Sequence, residues 1–183
     1  DLVSPFFIID IIMKTFKKTM AKNSSRAIGS YKHFEPLKAL ENLNHPLIPK
    51  LISYDNNTYE CEFIEGLDFF KYIEKTRNVK SGITLVKTIN QFMYSLLELQ
   101  NTSKLQLFPD DISCVNIMVT PEGNPYIIDL DQFGFFDTHQ ILKIFKETNM
   151  RLYDSFILAL SVGKISDQNK HIKNLENKLL NLM

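Results

Sequence analysis

The chain has 183 residues, 21 Lys+Arg against 21 Asp+Glu, 44% apolar and 23% charged residues. That balance is ordinary for a folded globular protein and excludes a wholly disordered one. Electroneutrality argues against a general nucleic-acid binder, whose affinity rests on neutralising many phosphates. The two cysteines, Cys61 and Cys114, form no CxxC pair, so neither a disulfide framework nor a cysteine zinc site is expected.

Taken in chain order, Pro5–Met13 is apolar but interrupted by Asp10. It lacks the basic flank and small-residue cleavage site of a signal peptide and reads as a buried strand. No stretch is long and apolar enough to span a bilayer. Residues 6–16 are rich in β-branched and aromatic side chains, which predicts one or two strands. A polar stretch, 17–30, follows. Tyr31, Phe34, Leu37, Leu40 and Leu43 then recur at helical spacing up to His45-Pro46. Leu51–Tyr54 and Thr58–Ile64 form a hairpin around Asp55-Asn56-Asn57, ended by Glu65-Gly66, and 68–75 is a short helix.

The apolar face Ile83, Val86, Ile89, Met93, Leu96 and Leu97 predicts a longer helix over 83–100. Two short apolar runs, Ile117–Val119 and Tyr126–Leu130, flank the turn Pro121-Glu122-Gly123-Asn124-Pro125 and give a second hairpin. Residues 138–183 are helical in pattern, with Thr138 as the expected cap and Ile172, Leu175, Leu179 and Leu182 as a final apolar stripe. Strands early, helices late and one central hairpin make an α+β pattern in two lobes.

The second hairpin carries the chemistry. A loop holding Asp111 and Asn116, five positions apart, enters its first strand, and Asp129 leaves its second. Pairing those strands brings Asn116 and Asp129 to one end. An amide and a carboxylate oxygen suit a hard divalent cation such as Mg²⁺, which also holds nucleotide phosphates. Asp111, away from the metal, is placed to accept a proton from an incoming hydroxyl. The four histidines, by contrast, have no metal-ligand spacing, and no Gly-x-Ser-x-Gly elbow occurs.

On these residues the chain resembles the protein-kinase-like superfamily. Asp111 and Asn116 match the H-R-D-x-x-x-x-N loop, and Asp129, thirteen positions after Asn116, matches the metal-binding aspartate of D-F-G. Ile11-Ile12-Met13-Lys14 is similar to V-A-I-K, and Glu35 to the glutamate that pairs with its lysine. Leu43-Asn44-His45-Pro46-Leu47-Ile48 resembles the turn after that helix, and Glu62–Gly66 the hinge against which adenine is held.

The resemblance implies a two-lobed kinase-like domain over 1–183: a small β-rich N-lobe to about 66, a hinge at about 62–68 and a reduced, mostly helical C-lobe from about 68. It implies ATP and Mg²⁺ as cofactors, Asp111 as the catalytic base, and Asn116, Asp129 and Asp131 at the metal. Lys14, Glu35, Glu62 and Ile64 would bind the nucleotide. On the residues themselves, Lys14 also reads as a strand-end lysine, Glu35 as an exposed helix residue and Asp131 equally as a turn cap.

The pattern departs from the family in three places. H-R-D becomes Pro109-Asp110-Asp111, which removes the histidine that braces the loop and the arginine that reads a phosphorylated activation loop. D-F-G becomes Asp129-Leu130-Asp131, similar to the I-D-F-D variants of atypical bacterial kinases. No Gly-x-Gly-x-x-Gly occurs; either such a loop precedes Asp1 or another segment covers the phosphates. The basic run Lys14, Lys17, Lys18, Lys22 and Arg26 is one candidate, although a solvated loop is the favoured reading of it. Only 49 residues follow Gly134, and Asp154 among them reads as exposed helix surface rather than as a buried support of the loop.

The expectation is therefore a minimal Ser/Thr protein kinase, monomeric and cytoplasmic or delivered to a host cell as an effector. It would act on a protein hydroxyl, without a nucleic-acid partner or membrane span. The alternatives are a sugar or small-molecule kinase of the aminoglycoside or lipopolysaccharide type, and a pseudokinase binding module.

Overall fold

A computed structural model describes residues 7–10, 14–19, 34–55, 58–99 and 105–161. Within them the fold is mixed α+β. Strands β1 (Phe7–Asp10), β2 (Thr15–Thr19), β3 (Leu51–Tyr54) and β4 (Thr58–Glu62) form one antiparallel sheet in the order β1-β2-β4-β3. The apolar run predicted as one or two strands is thus two, joined by a turn in which Lys14 adopts a positive φ of 52°. That turn sets the register Ile9↔Phe16, and β2 in turn pairs with β4 through Phe16↔Cys61 and Lys18↔Tyr59.

Helix α1 (Phe34–Leu43) packs on β3 and buries Leu37 and Leu40. The loop after it is tied down twice. Leu47 N–H donates to His45 Nδ1 at 3.2 Å, and the His45 ring lies 4.6 Å from that of Phe92.

Helix α2 (Phe69–Thr76) starts where Asp68 accepts the Lys71 N–H and stops at Arg77, whose left-handed backbone returns its N–H to Ile73. Helix α3 (Val79–Leu99) begins four residues before the predicted start. Asn78 Oδ1 accepts the Ser81 N–H at 3.0 Å, a cap that the apolar periodicity does not reveal. Helix α4 (Thr138–Ser161) is capped by Asp137 rather than Thr138. Asp137 Oδ1 accepts the Gln140 N–H, and Gln140 Oε1 accepts the Asp137 N–H, a reciprocal capping box. Its C-terminal turn is held by Arg77, which donates to the carbonyls of Ala159 and Leu160. The predicted stripe Ile172–Leu182 lies outside the described residues.

Two small sheets position the chemistry. Strand β5 (Leu67–Asp68) pairs with β7 (Ile117–Val119), which pairs with β8 (Pro125–Ile127); this is the predicted central hairpin, ending at Ile127 rather than Leu130. Leu130–Gln132 is a 3₁₀ turn instead. Strand β6 (Gln106–Pro109) pairs with β9 (Phe133–Phe136), a pairing not expected from the sequence. No helix among the described residues is long and apolar enough to cross a membrane.

Candidate active site

The loop 110–116 runs from the end of β6 to the start of β7, and both its ends are bonded to the segment carrying Asp129 and Asp131. At one end, Asp110 N–H donates to Gln132 carbonyl at 2.8 Å, continuing the β6–β9 ladder past Pro109↔Phe133. At the other, Ile128 N–H donates to Asn116 carbonyl at 2.9 Å, continuing β7–β8 past Ile117↔Ile127. Two ladders thus staple 110–116 alongside 128–132. Asn116 and Asp129 accordingly leave the hairpin at the same end. Within the loop, Asn116 Nδ2 donates to the Asp111 carbonyl at 3.4 Å.

The four-stranded sheet and the loop after α1 reach this region through three contacts. Ile127 N–H donates to the Leu47 carbonyl at 2.8 Å, and the buried Tyr59 hydroxyl donates to the Ile128 carbonyl at 3.4 Å. The third is electrostatic: Lys18, on β2, forms ion pairs with both Asp129 and Asp131, the latter at 2.8 Å. Its side chain is 14% exposed, Asp131 only 4%.

Burial alone would lower the Lys18 pKa, but the charge of Asp131 and its hydrogen bonds to both aspartates outweigh that and hold the ammonium above the ordinary lysine range. Asp131 moves the other way from an ordinary paired carboxylate. Burial, with the hydrogen bond and charge of Asp129, pushes it up to about 6 against the pull of Lys18. Tyr59, buried beside both aspartates, has its phenol pKa raised, first by burial and then by the two negative charges.

The structure brings together Asp111, Asn116, Asp129 and Asp131 from the sequence-predicted set. Lys14 stands apart: it is an exposed turn residue, and among the described residues no ion pair joins it to Glu35. The lysine that meets the aspartates is Lys18, four residues on. The physical reason is the β1–β2 turn, which places position 14 at a hairpin tip and position 18 within a strand flanked by β1 and β4. Period-two alternation puts Phe16 and Lys18 on one face of β2, with Phe16 packed against the core, but counted along the sequence it puts Lys14 there as well and so does not choose between the two lysines.

Glu35 lies exposed in the first turn of α1. The acidic residue of α1 that does engage the sheet is Glu41, which accepts from the Tyr54 hydroxyl at 2.6 Å. Glu62 closes β4 and accepts the Lys50 N–H at 3.0 Å, and Ile64 lies half-buried between β4 and β5. Lys22 and Arg26 of the basic run lie outside the described residues. Asp154 is exposed on α4, as expected. One contact had no signal in the sequence: Arg151 of α4 pairs with Asp111, Nη1 to Oδ1, at 2.7 Å.

Asp129 and Asp131 supply two oxygen donors of the kind a divalent cation takes, while among the described residues no group of three or more His, Cys, Asp or Glu is placed to hold a metal ion. One ammonium already contacts two carboxylates, so Asp129 and Asp131 can direct oxygens at one positive centre, with an amide at the same hairpin end. Oxygen donors of this kind are those a hard ion takes.

No family model matches the sequence, and no curated protein matches it. Among solved structures it is similar to a chain described as a divergent kinase lacking the glycine-rich loop, which regulates membrane ultrastructure of the Toxoplasma parasitophorous vacuole. The TM-score is 0.57 at 17% identity, over 89% of this chain and 61% of that one. The fold is kinase-like. At this identity the likeness concerns the fold alone, and the chain spans about three fifths of the neighbour's length.

Proposed function

We propose that the protein is an ATP- and Mg²⁺-dependent phosphotransferase acting on a protein Ser or Thr hydroxyl. In this reading the chain is one domain in two lobes, with β1–β4 and α1 in the first. Glu62 and Ile64 lie at the hinge, where backbone groups hold adenine. The carrying observation is Lys18 on Asp129 and Asp131, beside a loop that presents Asn116 and Asp111.

Lys18 replaces Lys14 as the residue assigned to the nucleotide phosphates. Asn116 and Asp129, with Asp131, would hold the metal, which when bound neutralises phosphate charge. Asp111 orients the acceptor hydroxyl. The acceptor oxygen bonds to the γ-phosphorus as the bond to the ADP oxygen breaks. The hydroxyl proton passes to the Asp111 carboxylate, and ADP leaves with the electron pair. Asp111 is 34% exposed and so open to an acceptor hydroxyl arriving from solvent.

The absence of Gly-x-Gly-x-x-Gly from the 183 residues does not weigh against this reading, since the structural neighbour is itself described as a kinase lacking that loop. The deciding experiment is incubation with γ-labelled ATP, Mg²⁺ and whole-cell lysate. Labelled protein is expected from the unmodified chain and none from folded Asp129→Ala. Equal labelling by both, or none by either, refutes the assignment. Turnover only with an added sugar or antibiotic would replace the protein acceptor with a small molecule.

A further inference from the structure

We propose that Arg151 is a positioning residue for the acceptor side of this site, holding the Asp111 carboxylate in its working rotamer. The inference rests on the phosphotransfer reading. Asp111 sits in 111–113, a stretch with no regular secondary structure, and a short acidic side chain there has rotamers to choose among. The loop also lacks the histidine brace of its family pattern, since Pro109 occupies that position and has no side-chain donor. The backbone ladders fix the ends of the loop, residues 110 and 116, but neither directs the carboxylate of residue 111.

Arg151 supplies that direction from a different element. Its guanidinium donates from Nη1 to Asp111 Oδ1 at 2.7 Å and from Nε to the Glu147 carbonyl at 3.4 Å. The second contact ties the head group back to its own helix. That helix is itself fixed by the buried residues Thr148 and Leu152 on either side of Arg151, by the capping box at Asp137 and by the Arg77 clamp on its last turn. The chain of restraint therefore runs from packed helix to guanidinium to carboxylate.

The contact uses Oδ1 and leaves Oδ2 for the acceptor proton. A base must lie within about 2.6–3.2 Å of the proton-bearing oxygen, and a misplacement of about 1 Å can cost about 10²-fold in rate. With side chains 42% and 34% exposed, the pair adds little to stability, so its principal effect falls on the reaction. Lys18 pairs with Asp129 and Asp131 and Arg151 with Asp111, so the two cations divide the three carboxylates into two groups.

The test measures kcat and the KM for ATP with γ-labelled ATP, Mg²⁺ and lysate protein as acceptor. Arg151→Ala is expected to lower kcat by about 10–10²-fold with KM unchanged. Arg151→Lys should fall between the two, and millimolar guanidinium should restore part of the Arg151→Ala rate but none of the Asp111→Asn rate. The double variant Asp111→Asn/Arg151→Ala should be no slower than Asp111→Asn alone. An unchanged or raised kcat in folded Arg151→Ala, or an absence of guanidinium rescue, overturns the role while leaving the phosphotransfer reading intact. Should Arg151→Ala fail to fold, Arg151→Gln is read by the same criteria. No transfer by the unmodified chain removes both.

Discussion

Lys18 and Asp129, 111 positions apart in the chain, are joined by an ion pair that ties β2 of the large sheet to the segment between β8 and the 3₁₀ turn. Asp131 shares the same ammonium, so one cation offsets two carboxylates of which one is almost fully buried. Removing the lysine leaves both without compensation, and breaking a buried pair from one side costs about 3–5 kcal/mol. Lys18→Ala is therefore expected to approach that loss in urea unfolding and to abolish labelling from ATP. Lys14→Ala, at an exposed turn, should stay within about 0.5 kcal/mol of the parent. Equal effects of the two substitutions would contradict the assignment.

Lys18 also marks where sequence reading stops. Both hairpins were legible because turn residues announce themselves: Asp55-Asn56-Asn57 in one, Pro121 to Pro125 in the other. The spacing of Asp111, Asn116 and Asp129 was legible because a hairpin converts chain separation into proximity. Which lysine reaches Asp129 depends instead on where an apolar run folds back on itself, and Phe7–Thr19 carries no Gly or Pro to mark its turn. The β6–β9 pairing and the Arg151–Asp111 contact join segments far apart in sequence, fixed by tertiary packing rather than local pattern. The α4 cap was displaced by one residue because Asp137-x-x-Gln140 outweighs the preference at Thr138.

His45 gives the loop after α1 a pH dependence whose sign follows from burial. The desolvated ring has its pKa held below the ordinary 6.5, and its Nδ1 must stay unprotonated to accept the Leu47 N–H. The unfolded chain takes up a proton near pH 6.5 that the folded chain resists, so this contribution is fully present above that pH and is lost progressively as pH falls from there through the lower pKa of the folded state. His45→Asn keeps a side-chain acceptor but does not titrate. The stability advantage of the parent over His45→Asn, from urea unfolding, should shrink between pH 7.5 and 5.5. An advantage that is flat or grows on acidification would be inconsistent with a buried neutral imidazole.

Gly66 lies where β5 departs toward β7, and a Cβ built there would meet the Val119 carbonyl oxygen at 2.3 Å. The obstacle is backbone, so no side-chain rotation relieves it. Gly66→Ala must separate Leu67 from Val119, the first pair of the β5–β7 ladder. We expect a loss of about 1–3 kcal/mol, the usual cost of overpacking, with faster amide exchange in 117–119. Parental exchange rates in that strand would mean that the close approach does not exist.

The two thiols should differ sharply in reactivity. Cys61, on β4, is 2% exposed, and burial, with the charges of Glu62 and Glu60 behind it, pushes its pKa up to about 12. Thiolate is the nucleophile, so at pH 8 the folded chain presents almost none at this position, and the sheet shields the little that forms. Cys114, in the loop between Asp111 and Asn116, is only partly buried. Iodoacetamide at pH 8 is expected to alkylate Cys114 in the folded protein and Cys61 only after denaturant is added, read by mass spectrometry of tryptic peptides. Because Cys61 pairs directly with Phe16, two residues before Lys18, its protection also reports whether β2 is seated on β4. Modification of both thiols at one rate in native buffer would mean that the strand presenting Lys18 is not held there in solution.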